Sequence, residues 1–220
     1  MSENINNIFR TVQAETQCPF AESAAITFAR PIPAEFSIPE AGQQLYEDIA
    51  EYVHAGIVTA PDGLAVALPN TVIGEDFESL TSGFHALYRA LKMHDGYDEE
   101  AIANEDIEDP GWQLTMAGQR LFTLVFSSLY SADSPRHVPE ANTTFLFFQP
   151  VQSFGARLPF DKGSVEFSRT KANIRSRFAQ AGRPYDGTIN SDPREAAKYI
   201  APQHLGIQAI KWWESDLPEA

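Results

Sequence analysis

The chain has one cysteine, Cys18, in 220 residues. No internal disulfide can form, and a reducing compartment such as the cytoplasm is the expected location. Basic side chains are scarce: 16 Lys and Arg stand against 30 Asp and Glu, for a net charge of −14. Such a surface repels phosphate backbones, so nucleic acid is not an expected partner. No stretch reaches the roughly 18 apolar residues of a membrane span. The opening MSENINNIFR has no basic start followed by an apolar run, unlike a secretory leader. The sequence has no HxH, no HExxH and no Cys-His cluster, which removes the usual zinc patterns. A non-haem iron site of two histidines and a carboxylate can be put together only from separate segments, with His94, His137 and an acid. A phosphate-cradling glycine loop and a GxSxG nucleophile elbow are also missing. There is no internal repeat and no low-complexity linker.

What is present suits one globular domain over residues 1–220, with 43% hydrophobic and 21% charged residues. Residues 1–16 read as a short helix or a flexible N-terminal segment. The 15 Phe and seven Tyr supply either a core of aromatics or a pocket for a flat ligand. Charge is uneven: residues 1–154 hold 22 acidic and six basic side chains, residues 155–220 eight and ten. The two regions can attract and pack, or an acidic face can receive a cationic substrate.

Periodicity predicts a helix over 40–55, with Leu45, Ile49 and Val53 on one face and Gly56 at its end. A second helix is predicted over 76–94, where Phe77, Leu80, Phe84, Leu87, Tyr88 and Leu91 form an apolar stripe. His94 continues that stripe, and His85 falls off it to the exposed side. Residues 21–29 read as helix or buried strand. GLAVALPNT over 63–71 reads as a strand stopped at Pro69-Asn70. Phe122, Leu124 and Phe126 alternate with Thr123 and Val125, and Phe145–Phe148 is a continuous apolar run of the kind buried on both faces. These two segments are expected to be antiparallel neighbours joined by a long connection. A basic helix is predicted over 164–182, and further helix over 192–213 with a break at Pro202. The fold class expected is α+β, a central antiparallel sheet flanked by helices in one domain.

Several residues have chemical capacity. His94, on the apolar face near a helix end, reads as a hydrogen-bonded core histidine or as an axial ligand to haem iron. Arg136-His137 reads as a surface pair, or as a cation for propionates beside a distal acid or base. Residues 95–109 hold eight carboxylates and no Lys or Arg. They read as a solvated run, or as a source of acids, among them Glu105, Asp106 and Asp109, for the planar fork of a guanidinium. Cys18 reads as a core cysteine or a nucleophile.

Cys18-Pro19-Phe20-Ala21, His94-Asp95, Asp109-Pro110-Gly111-Trp112, Gly118, Ser134-Pro135-Arg136-His137, Gln149-Pro150, Ile174-Arg175 and Tyr185-Asp186-Gly187 follow one another in an order that resembles the YqcI/YcgG family. That family includes haem-dependent guanidine N-hydroxylases of guanitoxin biosynthesis and the arginine hydroxylase of the D-cycloserine pathway. The resemblance spans roughly 18–213. It departs at Ser134-Pro135-Arg136, where relatives often carry several arginines, and at His94-Asp95, where the spacing is tighter. The resemblance implies a haem b monooxygenase that uses O2 and an electron donor to N-hydroxylate arginine or a related cationic guanidino compound. It implies His94 as iron ligand, Arg136 and Trp112 as further haem contacts, His137 with Arg136 in catalysis, and Glu105, Asp106 and Asp109 at the substrate. The rival readings are a non-catalytic haem-binding or sensing protein, a non-haem iron oxygenase, and an interaction protein with no cofactor. Whether the Gln149-Pro150 strand edge joins a second copy in a homodimer is left open.

Overall fold

The computed structural model describes residues 2–153 and 164–217. In chain order they form α1 (Ser2–Glu15), β1 (Ile26–Phe28), α2 (Ile38–His54), β2 (Gly63–Pro69), α3 (Asn70–Ile73) and α4 (Phe77–His94). Then follow α5 (Glu99–Ala103), β3 (Leu114–Met116), β4 (Gln119–Ser127), β5 (Thr143–Pro150), α6 (Val165–Gln180) and α7 (Gly187–Ser191). The strands make one sheet in the order β1-β2-β5-β4-β3, antiparallel except for β1 on β2. The fold is α+β.

The antiparallel pairing of β4 with β5 sets Phe122 opposite Gln149, Leu124 opposite Phe147 and Phe126 opposite Phe145. β5 lies between β2 and β4, its register with β2 ending at Phe148 and that with β4 running on to Pro150. Its Phe145, Leu146, Phe147 and Phe148 are all buried, as a central strand covered on both faces requires.

Alternation divides the side chains between two layers. Leu64, Val66, Leu68, Leu121, Val125, Leu146 and Phe148 meet the apolar stripes of α2 and α4. The helix spacing explains the match, since Leu45 and Ile49 of α2 and Leu80, Phe84, Leu87 and Leu91 of α4 recur every three to four residues. The two helices approach closely at Gly42, where an added Cβ would lie 2.6 Å from Ala90 Cβ. Helix α4 starts on a capping box, with the Asp76 carboxylate accepting from Ser79 N at 2.8 Å. On the other face, Phe9 of α1 packs on Phe28, Phe126, Phe145 and Phe147. That contact settles the N-terminal segment as a helix docked on the sheet.

Of the two readings for residues 21–29, the strand holds over three residues, and the 192–213 segment departs from its reading. Residues 26–28 are a strand. Residues 192–213 contain two short 3-10 turns, at Ala196–Lys198 and Trp212–Glu214, in place of a helix. Tertiary hydrogen bonds replace the helical ones: Tyr199 O accepts from Val125 N at 3.0 Å, and Trp212 Nε1 donates to Ala196 O at 2.9 Å. Pro193 and Pro202 remove two helical donors as well. No helix of the described residues is long and apolar enough to cross a membrane.

Candidate functional site

Beyond Leu121, β3 no longer covers the outer edge of β4. The long 128–142 connection folds back to take its place. Ser127 N donates to Arg136 O at 3.0 Å and Val138 N donates to Ser127 O at 3.1 Å. This return brings Arg136 under the 198–201 segment. Its guanidinium donates to Val125 O at 3.1 Å, Tyr199 O at 3.2 Å and Lys198 O at 2.9 Å. Arg136 is 9% exposed. Burial pulls its pKa below the ordinary arginine value, opposed by the phenols of Tyr130 and Tyr185. None of the described carboxylates lies within ion-pair distance of it.

Arg136 borders a cleft of about 530 Å³, within the roughly 300–1,000 Å³ common for small-molecule sites. The sheet contributes Phe122, Leu124 and Gln149 to it, and α6 contributes Lys171, Ile174 and Arg175. Cys18, Ser134 and Pro135 reach it from two loops, Tyr185 and Asp186 from the turn before α7, and Lys198 and His204 from the C-terminal segment. The site is cross-tied. Asp186 accepts from Thr188 N at 2.7 Å and Gly206 N at 2.9 Å, and Tyr185 lies edge-on to the buried Phe178 at 4.4 Å. Burial raises the Tyr185 hydroxyl, with the Arg136 charge opposing the shift and the Cys18 thiol adding to it.

A second polar cluster sits between α4 and the loop after α5. Lys92 Nζ is 2.6 Å from Glu105 Oε1. Glu105 Oε2 accepts from Tyr88 OH at 2.6 Å and from Trp112 Nε1 at 3.0 Å. The Tyr97 ring lies 3.4 Å from the ammonium. Desolvation alone would raise the Glu105 carboxyl. The hydrogen bonds from Lys92, Tyr88 and Trp112, with the Lys92 charge, outweigh it and hold the pKa below the usual range.

The residues singled out from sequence are therefore divided between places. Arg136 lines the cleft; His94, Trp112, His137, Glu105, Asp106 and Asp109 do not. His94 is exposed at the end of α4, stacked on Tyr46 with ring centres 6.2 Å apart. The buried stripe ends at Leu91, because Asp95 terminates the helix there. His85, expected on the exposed side, is half-buried: its Nδ1 is 2.9 Å from Ser215 O, and its ring meets Trp212. The C-terminal segment makes that difference, and a helix-face argument does not see it. His137 Nδ1 is 2.7 Å from Tyr130 O, which orients the ring within its own loop.

Glu105 and Trp112 are held in the Lys92 cluster. Asp106 and Asp109 are exposed, the latter accepting from Gly111 N at 2.5 Å. Glu108 is drawn down to about 2 by Lys211 and Arg194, which contact its carboxylate. Among the described residues, no three His, Cys, Asp or Glu side chains converge as a metal-ligand set. Sequence reasoning missed Lys171, Lys198 and His204 as site residues. The i, i+4 spacing of Lys171 and Arg175 does mark a shared helix face, whereas nothing local marks His204.

Arg136 changes the expectation for a loop cation. Arg136→Ala removes the guanidinium donor from the Val125 and Lys198 carbonyls and leaves Tyr199 O with Val125 N alone, and the expected cost is on the order of 2–3 kcal/mol. Lysine cannot span three acceptors with a planar fork, so Arg136→Lys should recover only part of it. Urea unfolding of both variants measures this. A loss under about 1 kcal/mol for alanine would contradict a structural role for these bonds.

Comparison of the chain with protein-family models, with curated proteins and with solved structures gives no match.

Proposed function

We propose that the cleft binds haem b and that the protein is a haem-dependent monooxygenase of guanidino compounds, arginine among them. One observation supports this reading above others. Cys18, Ser134-Pro135-Arg136, Gln149, Ile174-Arg175 and Tyr185-Asp186 are far apart in sequence and carry most of the resemblance to the YqcI/YcgG family. All of them line one cleft.

The residues present fit a haem. Phe122, Leu124, Ile174 and Ile189 offer apolar surface for the macrocycle, and Lys171 and Arg175 offer charge for its propionates. Cys18, Tyr185 and His204 are the lining residues of types that can ligate haem iron, and burial keeps the Tyr185 hydroxyl protonated. We assign the iron to Cys18, which is half-buried, whereas His204 is exposed. Bound haem supplies oxygen activation, and a thiolate ligand favours O–O cleavage. The protein's own part is to exclude water over the apolar wall, to fix the propionates and to orient the substrate. Asp133 and Asp186 are the carboxylates lining the cleft. They replace Glu105, Asp106 and Asp109 as the acids assigned to the guanidinium.

Haemin titration of wild type, Cys18→Ala and His94→Ala tests the assignment. The expected result is a Soret band in wild type, a shifted or lost band in Cys18→Ala, and no change in His94→Ala. A Cys18→Ala spectrum identical to wild type would remove Cys18 as ligand. Guanidine-dependent oxygen consumption by the haem-loaded protein separates an oxygenase from a haem sensor.

A further inference from the structure

Six of the fourteen described Lys and Arg side chains of this acidic chain have carboxylate partners. Arg30, Arg89, Lys92, Arg194, Lys198 and Lys211 are each ion-paired. Helix α6 gathers three of the others. Of its 16 residues only Phe178 is buried. Arg169, Arg175 and Arg177 are exposed, and none pairs with a described carboxylate. At 100° per residue, Ile174 and Phe178 face the protein, Arg169 faces directly away, and Arg177 lies between. Arg169 and Arg177, two guanidinium groups within nine residues that lie outside the cleft, form a local positive field on a chain of net charge −14.

We propose that the outer face of α6 is the docking surface for a small acidic one-electron carrier protein. The proposal rests on the haem reading of the cleft, since α6 lines that cleft through Lys171, Ile174 and Arg175. A carrier on the Arg169–Arg177 face lies one helix thickness, about 10 Å, from the site. Charge and size select the occupant. Screening confines attraction to about 8 Å at physiological salt, so a compact partner meets only the basic helix. An extended duplex or an anionic membrane would also lie against the acidic remainder of the chain. Each encounter would pass one electron from the carrier, oxidised by one, to a haem held in the cleft, with no atom transferred. Two encounters supply the pair of electrons that a monooxygenase turnover consumes.

The test uses the full chain and a [2Fe–2S] ferredoxin of strong negative charge as probe, with calorimetric titration at low and high salt. Wild type is expected to bind, with affinity falling as salt rises. Arg169→Glu/Arg177→Glu is expected to bind about tenfold more weakly or worse, while its haemin titration stays at wild-type values, since neither residue lines the cleft. Equal binding by the variant, or no binding by a chain that takes up haem, overturns the docking surface. Binding of duplex DNA or anionic vesicles in place of ferredoxin overturns the assigned partner. Salt-dependent, variant-sensitive binding by a chain that shows no Soret band supports the basic docking face, overturns its electron-delivery role, and contradicts the haem reading separately.

Discussion

Trp212→Ala is expected to cost the fold about 3–5 kcal/mol. Trp212 is fully buried. Its indole is edge-on to Phe84 at 4.9 Å and to Tyr88 at 5.3 Å, and stacked on Tyr199 at 6.1 Å with only 9° between the planes. Its Nε1 donates to Ala196 O at 2.9 Å, a carbonyl that alanine would leave with the Tyr199 N–H alone. One side chain thus ties the C-terminal segment to α4, and through Tyr199 to β4, where Tyr199 OH donates to Leu121 O and accepts from Leu114 N. The same segment carries the Lys198 and Tyr199 carbonyls that hold Arg136. Trp212→Ala should therefore loosen the cleft as well as the core. Urea unfolding gives the energy, and near-ultraviolet dichroism reports the aromatic cluster. A cost below about 1 kcal/mol would contradict this packing account. Trp212→Phe, which keeps the ring contact and loses the hydrogen bond, should fall between.

Lys92→Met is expected to be comparably costly, about 3–5 kcal/mol near neutral pH, because it leaves a buried carboxylate without its cation. The lysine side chain is 3% exposed and that of Glu105 16%. The pH dependence has a definite sign. In wild type Glu105 is held below its ordinary value of 4.5. The stability it contributes is fully present above about 4.5 and is lost as pH falls through the lower folded value. In the variant, desolvation is opposed only by the neutral donors Tyr88 and Trp112, so the carboxyl rises. The penalty should shrink as acidification protonates it. Lys92→Met/Glu105→Gln should recover much of the loss, since no ion then remains in the cluster. Unfolding measured near pH 7 and near pH 4 checks both points. A penalty that grows on acidification would contradict the assignment of the Lys92–Glu105 pair.

The sheet and the long helices are readable from local pattern because their burial is one-sided or complete. The stripe of α4, the strand ending at Pro69 and the doubly buried Phe145–Phe148 each have a period that a short window detects. The cleft is not readable this way. Arg136 looks like a loop cation until the open edge of β4 and the carbonyls of Val125, Tyr199 and Lys198 are seen together. Glu105 looks solvated within an acidic run, yet Lys92, thirteen residues earlier, buries it. His94 looks buried and His85 exposed, because the helical wheel contains neither the helix end at Asp95 nor the chain around Ser215. The 192–213 segment has helix-forming residues, but its backbone groups go to β4 and to Trp212. In each case the deciding partner is distant in sequence. Cys18, Ser134-Pro135-Arg136, Ile174-Arg175 and Tyr185-Asp186 share one cleft, whereas His94-Asp95, Asp109-Pro110-Gly111-Trp112 and Gly118 lie outside it.

The central claim is that this cleft is a haem site. The most direct test is the absorption spectrum of the purified protein during haemin titration, with Cys18→Ala alongside. The account predicts a saturable one-to-one Soret band whose position depends on Cys18. Absence of any such band at saturating haemin would contradict it.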